Sequence, residues 1–205
     1  MAERSKRSDL RFKVANTPEE FEQIHALNYR TFVEEIPQHT SNRERRLVDR
    51  FHEQNTYLIC LRADRLVGMM AVRGDRPFSL DAKLPALDTY LPAGRSLCEI
   101  RLLAVVPRER RGRVFWGLAR LMWEYCRGRG WDTGVASCTT RQIKLYRHMG
   151  FVPFGPLVGS DEAPFQPMYL TTEAFEEQTR ALEARTRFSV RLAKTRRSRP
   201  ATATG

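Results

Sequence analysis

Glu99 and Arg101 stand two residues apart in the apolar run Cys98-Glu99-Ile100-Arg101-Leu102-Leu103-Ala104-Val105-Val106, just ahead of Pro107. Strand side chains alternate between the two faces, so this pair shares one face. A carboxylate beside a guanidinium can be a structural ion pair. It can also do chemistry: Glu99 takes a proton from an incoming ammonium, directly or through water, while Arg101 or Arg73 grips a carboxylate in two prongs. The residues alone leave both open. Beyond Pro107, Arg108, Arg110, Arg111, Gly112 and Arg113 gather where an amphipathic pattern begins. Arginines and the free amides of a helix N-terminus attract anions. Tyr146 lies in Leu145-Tyr146-Arg147-His148-Met149-Gly150-Phe151, a short helix closing on a glycine. No cysteine or serine stands in a recognisable nucleophile setting, so attack is expected to be direct.

These residues need elements to hold them. Leu10, Phe12 and Val14 alternate with Arg11 and Lys13, as in a half-buried strand. Thr17-Pro18-Glu19-Glu20 then supplies an N-cap, a proline at the first helical position and a carboxylate at the third. Phe21, Ile24, Leu27, Phe32 and Val33 continue that helix, and residues 43–51 are expected to form a second short one. Thr56 to Leu61 and Arg65 to Val72 flank Arg62-Ala63-Asp64, the spacing of a β-hairpin. The connection from Gly74 to Arg95 carries Phe78, Leu80, Leu84 and Leu87, which either wall a ligand pocket or cover the sheet. After the Glu99 strand come a helix over about 112–127, a strand over 133–137, the Tyr146 helix, strands at 151–154 and 168–170, and a charged helix from Thr172. This order predicts a mixed α/β fold, a central sheet flanked by helices. Residues 1–9 read as a polar leader, 10–186 as a single domain and 187–205 as a basic tail.

At 205 residues, 41% hydrophobic and 29% charged, the chain has the composition of a soluble globular protein. No apolar run approaches the roughly 20 residues of a membrane helix, and no secretory signal opens the chain, so a cytoplasmic location is expected. Four scattered cysteines without Cys-x-x-Cys argue for reduced, buried thiols and against a metal site. A net charge of +11 favours anionic partners. Nucleic acid would be reached only through the basic tail, whereas Arg108 to Arg113 are placed for a defined site.

Leu145-Tyr146-x-x-x-Gly150-Phe151 and Leu103-Ala104-Val105-Val106-Pro107 followed by arginines resemble the GNAT (GCN5-related N-acetyltransferase) superfamily. The resemblance implies the acyl-CoA N-acyltransferase fold. It implies that the backbone of Leu103, Ala104, Val105 and Val106 pairs with a pantetheine arm, with an N–H near Leu103 or Ala104 facing the thioester oxygen. Arg110, Arg111, Gly112 and Arg113 would meet pyrophosphate, and the Tyr146 hydroxyl would protonate the departing sulfur. The family's loop usually carries two further glycines, replaced here by bulky residues. That change suits the acidic surface of an acyl carrier protein as well as free CoA.

A second set of residues is similar to the acyl-homoserine-lactone synthase and N-acyl amino acid synthase branch: Asn28 to Glu35, Asp49-Arg50-Phe51-His52, Val72-Arg73, Pro77-Phe78 and Cys98-Glu99-Ile100-Arg101. By this resemblance Glu99 and Tyr146 are catalytic, and Arg30, Phe32, Arg73 and Arg101 bind the acceptor. The tryptophan and serine of the lactone-synthase pattern are missing, which counts against lactone synthesis. The expected activity is transfer of an acyl group longer than acetyl from acyl-CoA or acyl carrier protein to the amine of an amino acid or related small molecule. The thioester would be a co-substrate, with no permanently bound cofactor. The alternatives are an acetyl-CoA-dependent N-acetyltransferase and a non-catalytic protein binding nucleic acid through its tail.

Overall fold

The hairpin shows how local chemistry becomes architecture. Strands β1 (Leu10–Val14), β2 (Thr56–Arg62) and β3 (Arg65–Arg73) are antiparallel neighbours. Ala63 and Asp64, both at positive φ, make the two-residue turn whose twist matches the strands. In the computed structural model, which describes residues 10–110, 112–160 and 164–181, all strands belong to one sheet. β3 continues antiparallel into β4 (Leu97–Val105), and β4 runs parallel to β5 (Thr133–Thr139). Beyond β5 lie β8 (Pro164–Thr171) and β6 (Val152–Pro153), with β7 (Val158–Gly159) also on β8. The mixed sheet flanked by helices is the fold class the sequence predicts. The leader, the tail and Arg111 lie outside the described residues.

Two helices cover opposite faces of the sheet. Helix α1 (Pro18–Tyr29) starts on the expected capping box: Thr17 Oγ1 accepts the Glu20 N–H while Glu20 accepts the Thr17 N–H. It packs Ile24 and Leu27 on Tyr57, Ile59, Leu61, Met69 and Ala71. Helix α2 (Arg113–Gly128) packs Val114, Leu118, Met122 and Cys126 on Leu58, Cys60, Met70 and Val72. Alternate residues of β2 and β3 thus feed different cores, as a strand buried on both faces requires. Gly117 permits the close approach of β1, because a Cβ there would lie 2.1 Å from the Phe12 ring. The helix at residues 172–181, α4, adds Phe175 to the α2 side.

Three expectations change in detail, and one open alternative closes. Residues 30–35 continue α1 as a π-helix, Arg30–Glu35, and no helix forms over 43–51. There Arg45 has positive φ, the Leu47 N–H reaches across to the His25 carbonyl, and Arg46 pairs with Glu22. The Leu47 N–H and the Arg46 guanidinium go to α1, which ties residues 43–51 to that helix as an irregular segment. Phe78, Leu80, Leu84 and Leu87 are buried together with Val135, Phe154 and Val158, so the long connection covers the sheet. β8 begins at Pro164, ahead of the strand expected from Met168. No helix among the described residues is long and apolar enough to cross a membrane.

Candidate active site

β4 and β5 are paired only from Leu97↔Thr133 to Glu99↔Val135. Past Glu99 they part: β4 stays with β3, and β5 stays with β8 as far as Thr139↔Phe165. A bulge accompanies the split. The register against β3 slips by one between Arg101 and Ala104, and Leu102 takes φ 54°. One extra residue bends a strand and re-aims it. A left-handed conformation at a leucine costs on the order of 1–3 kcal/mol and persists only where packing over-determines it. Between the parted strands lies a cavity of ≈ 990 Å³, lined by Ile100 to Val105 on one side and by Ser137, Thr139 and Tyr146 on the other.

At the start of the split, Glu99 is 1% exposed. Its Oε1 accepts the Ser79 N–H at 2.9 Å and the Ser79 hydroxyl. Its Oε2 has no hydrogen bond and lies 3.6 Å from Arg101 Nε. The terminal nitrogens of Arg101 donate a fork to Asp49 at 2.8 and 3.0 Å. Asp49 also accepts the Phe51 N–H and the Asn55 amide, and Asn55 donates on to the Tyr57 hydroxyl. Burial pushes that phenol up to about 12. The Phe51 ring lies against the guanidinium groups of Arg73, Arg50 and Arg101 at 3.9, 4.5 and 4.6 Å. Arg73, opposite Glu99 in the β3–β4 register, is 2% exposed. It donates to the carbonyls of Asp75 and Pro77 and is not part of the cavity wall.

Tyr146 is held from both ends of its short helix. A turn of 3₁₀ helix, Thr140–Gln142, leads into α3 (Ile143–His148). The far end closes as a Schellman motif, with the Phe151 N–H on the Tyr146 carbonyl and the Gly150 N–H on the Arg147 carbonyl. Gly150, at φ 94°, supplies the left-handed residue this closure needs. The glycine and phenylalanine that follow Tyr146 therefore position it, and Phe151 meets the Tyr146 ring edge-on at 5.1 Å. Tyr146 is 9% exposed at the cavity wall, and burial raises its hydroxyl above the usual tyrosine range. The hydroxyl therefore keeps its proton at neutral pH. His148 reaches the same wall from the exposed side of α3.

The other end of the cavity is its cationic mouth. Gly112, at φ 95°, caps α2, whose first amides have no side-chain cap. Arg110 donates its Nε to the Val105 carbonyl at 2.8 Å and forks onto Glu35, whose carboxyl it holds below the usual range. Arg108 and Arg113 are exposed beside the mouth. Val114, at one lost glycine position, points into the core, while Phe115 and Trp116 line the opening.

Of the residues singled out from sequence, Glu99, Arg101, Leu103, Ala104, Val105, Arg110, Gly112, Tyr146 and Phe32 meet at this one cavity. Val106 stays in the ladder through its N–H to the Val67 carbonyl. Arg30 is exposed and turns back to the Ala26 carbonyl. Neither it nor Arg73 reaches the cavity. Ser79, Arg50 and Lys83 line it without having been singled out. Arg50 belongs to a quoted motif, but Ser79 and Lys83 sit in a connection with no readable period. The cysteines are buried, and burial pushes the Cys60 and Cys138 thiols up to about 11, far from reactive thiolates. Among the described residues no group of three or more His, Cys, Asp or Glu is placed to hold a metal.

Comparison with known proteins agrees with this fold. The acyl-homoserine lactone synthase BjaI, solved with SAM and isopentyl-CoA, is similar at 23% identity, over 80% of this chain and 82% of that one, with a TM-score of 0.66. FeeM, an N-acyl amino acid synthase from uncultured soil microbes, matches at 17% identity, over 83% of this chain and 95% of that one, also at 0.66. The lactone synthase LasI matches at 14%, over 80% and 91%, at 0.67. At such identities the likeness establishes the fold alone, and no curated protein sequence matches the chain. The family model does more: that of the N-acyl amino acid synthase FeeM aligns with residues 23–187, from inside α1 through strands β2 to β8. A match across most of the chain makes this protein a member of the FeeM family of N-acyl amino acid synthases.

Proposed function

We propose that the protein moves an acyl group longer than acetyl from an acyl-thioester, carried by CoA or acyl carrier protein, to the amine of an amino acid or related small molecule. Family membership makes it an N-acyltransferase; donor, chain length and acceptor are this proposal's own. The observation that carries it is the parting of β4 from β5 beside both Glu99 and Tyr146.

In this reading the pantetheine arm lies along Leu103 to Val106, and an N–H of Leu103 or Ala104 donates to the thioester oxygen. Glu99 accepts a proton from the acceptor's ammonium. The freed amine attacks the thioester carbon, the C–N bond forms, and negative charge gathers on the oxygen. A preorganised donor there is worth about 100-fold to 1000-fold in rate. Collapse breaks the C–S bond as the positively charged nitrogen loses its second proton to solvent; Tyr146 gives its proton to the leaving sulfur and recovers one from solvent, and Glu99 releases its own. A thiol with a pKa of about 8.5 is a fair leaving group, so Tyr146 assists without being indispensable. The thioester is consumed as a co-substrate at each turnover.

The apolar wall of Phe32, Ile36, Leu47, Val48 and Leu102 supports an acyl chain longer than acetyl. The BjaI complex with isopentyl-CoA supports a CoA donor, and the exposed Arg108 and Arg113 beside the mouth support an acidic carrier protein equally. The test mixes the protein with CoA and carrier-protein thioesters of graded chain length plus pooled amino acids, following free thiol and the mass of the amide formed. Thiol release that rises with chain length is expected. Release with acetyl-CoA alone would make the protein an N-acetyltransferase, and no release with any donor would end the proposal.

A further inference from the structure

Glu99 stands at the inner end of the cavity, yet it is only 1% exposed, too little for a molecule in the cavity to touch its carboxylate. Its Oε2 is buried without a hydrogen bond and turned to Arg101. Its Oε1 is covered by Ser79, which gives it both the backbone N–H, at 2.9 Å, and the hydroxyl. Ser79 itself is partly exposed and lines the cavity. A serine hydroxyl donates one proton and has two lone pairs to accept with. Among the described residues no donor is bonded to Ser79 Oγ, so its accepting side is open. The hydroxyl is also firmly placed. Its neighbours Phe78 and Leu80 are buried with Val135 and Phe154. The Phe78 N–H is held by Asp81 at 2.6 Å, and the Pro77 carbonyl by Arg73 at 2.7 Å.

We infer that Ser79 is a proton relay between the cavity and Glu99, so that the base is a pair of residues and not one. This rests on the transferase reading above. The acceptor's ammonium donates a hydrogen bond to Ser79 Oγ. As the ammonium proton passes to Oγ, the hydroxyl proton passes to Glu99 Oε1. One N–H and one O–H bond break and two O–H bonds form, leaving a free amine, an intact serine and a carboxylic acid. The amine then attacks the thioester, and Glu99 later returns its proton to solvent by the same route. Ser79 is not a nucleophile in this step, since its oxygen forms no bond to carbon. A serine hydroxyl alone is too weak a base to hold the proton, and Glu99 alone is too deeply buried to collect it. The step therefore needs both.

With the donor thioester and amine that give the unaltered protein its fastest thiol release, kcat and KM are measured across pH for Ser79→Ala and Ser79→Thr. Ser79→Ala is expected to lower kcat by about 10-fold to 100-fold at neutral pH, with KM for the donor little changed. Ser79→Thr keeps a hydroxyl and is expected to keep most of the rate. The Ser79→Ala loss should shrink as pH rises past the pKa of the acceptor's amine, because an amine that arrives unprotonated has no proton to relay. Urea unfolding checks that each variant is folded. Ser79→Val, which has the shape of threonine without its hydroxyl, supplies the same contrast with Ser79→Thr where Ser79→Ala fails to fold. A loss equal at every pH would mean that Ser79 only holds Glu99 in place, and undiminished turnover would mean that Glu99 is reached without it. Either result overturns the relay while the transferase reading stands. No thiol release by the unaltered protein with any donor ends that reading and the relay with it.

Discussion

At the inner end of the cavity, Glu99 and Arg73 are almost wholly buried, and Arg101 forks onto Asp49 with both side chains largely shielded. At the mouth, Arg110 makes the same kind of fork onto Glu35, but those side chains are 42% and 40% exposed. The chemistry of the two pairs is alike and their physics is not. A buried charge without a partner is expensive, so the links among Ser79, Glu99, Arg101, Asp49 and Asn55 are made before substrate arrives, with Glu99 Oε2 left without a hydrogen bond, and salt screens them little. An exposed pair gains little, is screened, and can exchange its partner for an incoming anion. The inner end is built to hold geometry and the mouth to receive charge.

The largest expected effect breaks this contrast at its inner end. Glu99→Gln keeps the shape and loses the base, and is expected to lower kcat by about 100-fold to 10,000-fold. A rate within a few fold of the parent would mean that Glu99 is a structural group and that chemistry is not localised there. Next comes Asp49→Ala, which strands the shielded Arg101 guanidinium and should cost about 2–4 kcal/mol of stability in urea unfolding. An unchanged midpoint would remove the claim that the inner fork is preorganised.

The smallest effect is expected at the mouth. Arg110→Ala should cost about 0–1 kcal/mol, vanishing at high salt. Because Arg110 holds the Glu35 carboxyl below its usual value, the pair's contribution is present above the unfolded pKa. It is lost as pH falls through the lower folded one. Unfolding midpoints of parent and variant should therefore converge in acid as well as in salt, and a cost as large as that of Asp49→Ala would erase the difference between the two ends.

Much of this was legible in local pattern. Thr17-Pro18-Glu19-Glu20 announced the start of α1, and Arg62-Ala63-Asp64 the hairpin, because caps and tight turns are decided by a few adjacent residues. Gly150 and Phe151 likewise marked the closure that holds Tyr146. The segment over 43–51 misled because its helical spacing competes with donors and acceptors on α1 that no local pattern displays. Phe78, Leu80, Leu84 and Leu87 read equally well as pocket wall or sheet cover. Only their burial against Val135 and Phe154 separates the two.

By itself the sequence determined the alternation of strands and helices, the family motifs, and the face that Glu99 and Arg101 share, since backbone periodicity follows from residue type at short range. Tertiary structure alone decided which charges are spoken for. Asp49 takes the Arg101 fork from 52 residues away, and Ser79 takes Glu99 from 20. The reason is desolvation: the cost of burying a charge depends on everything folded around it, and that surrounding is assembled from the whole chain.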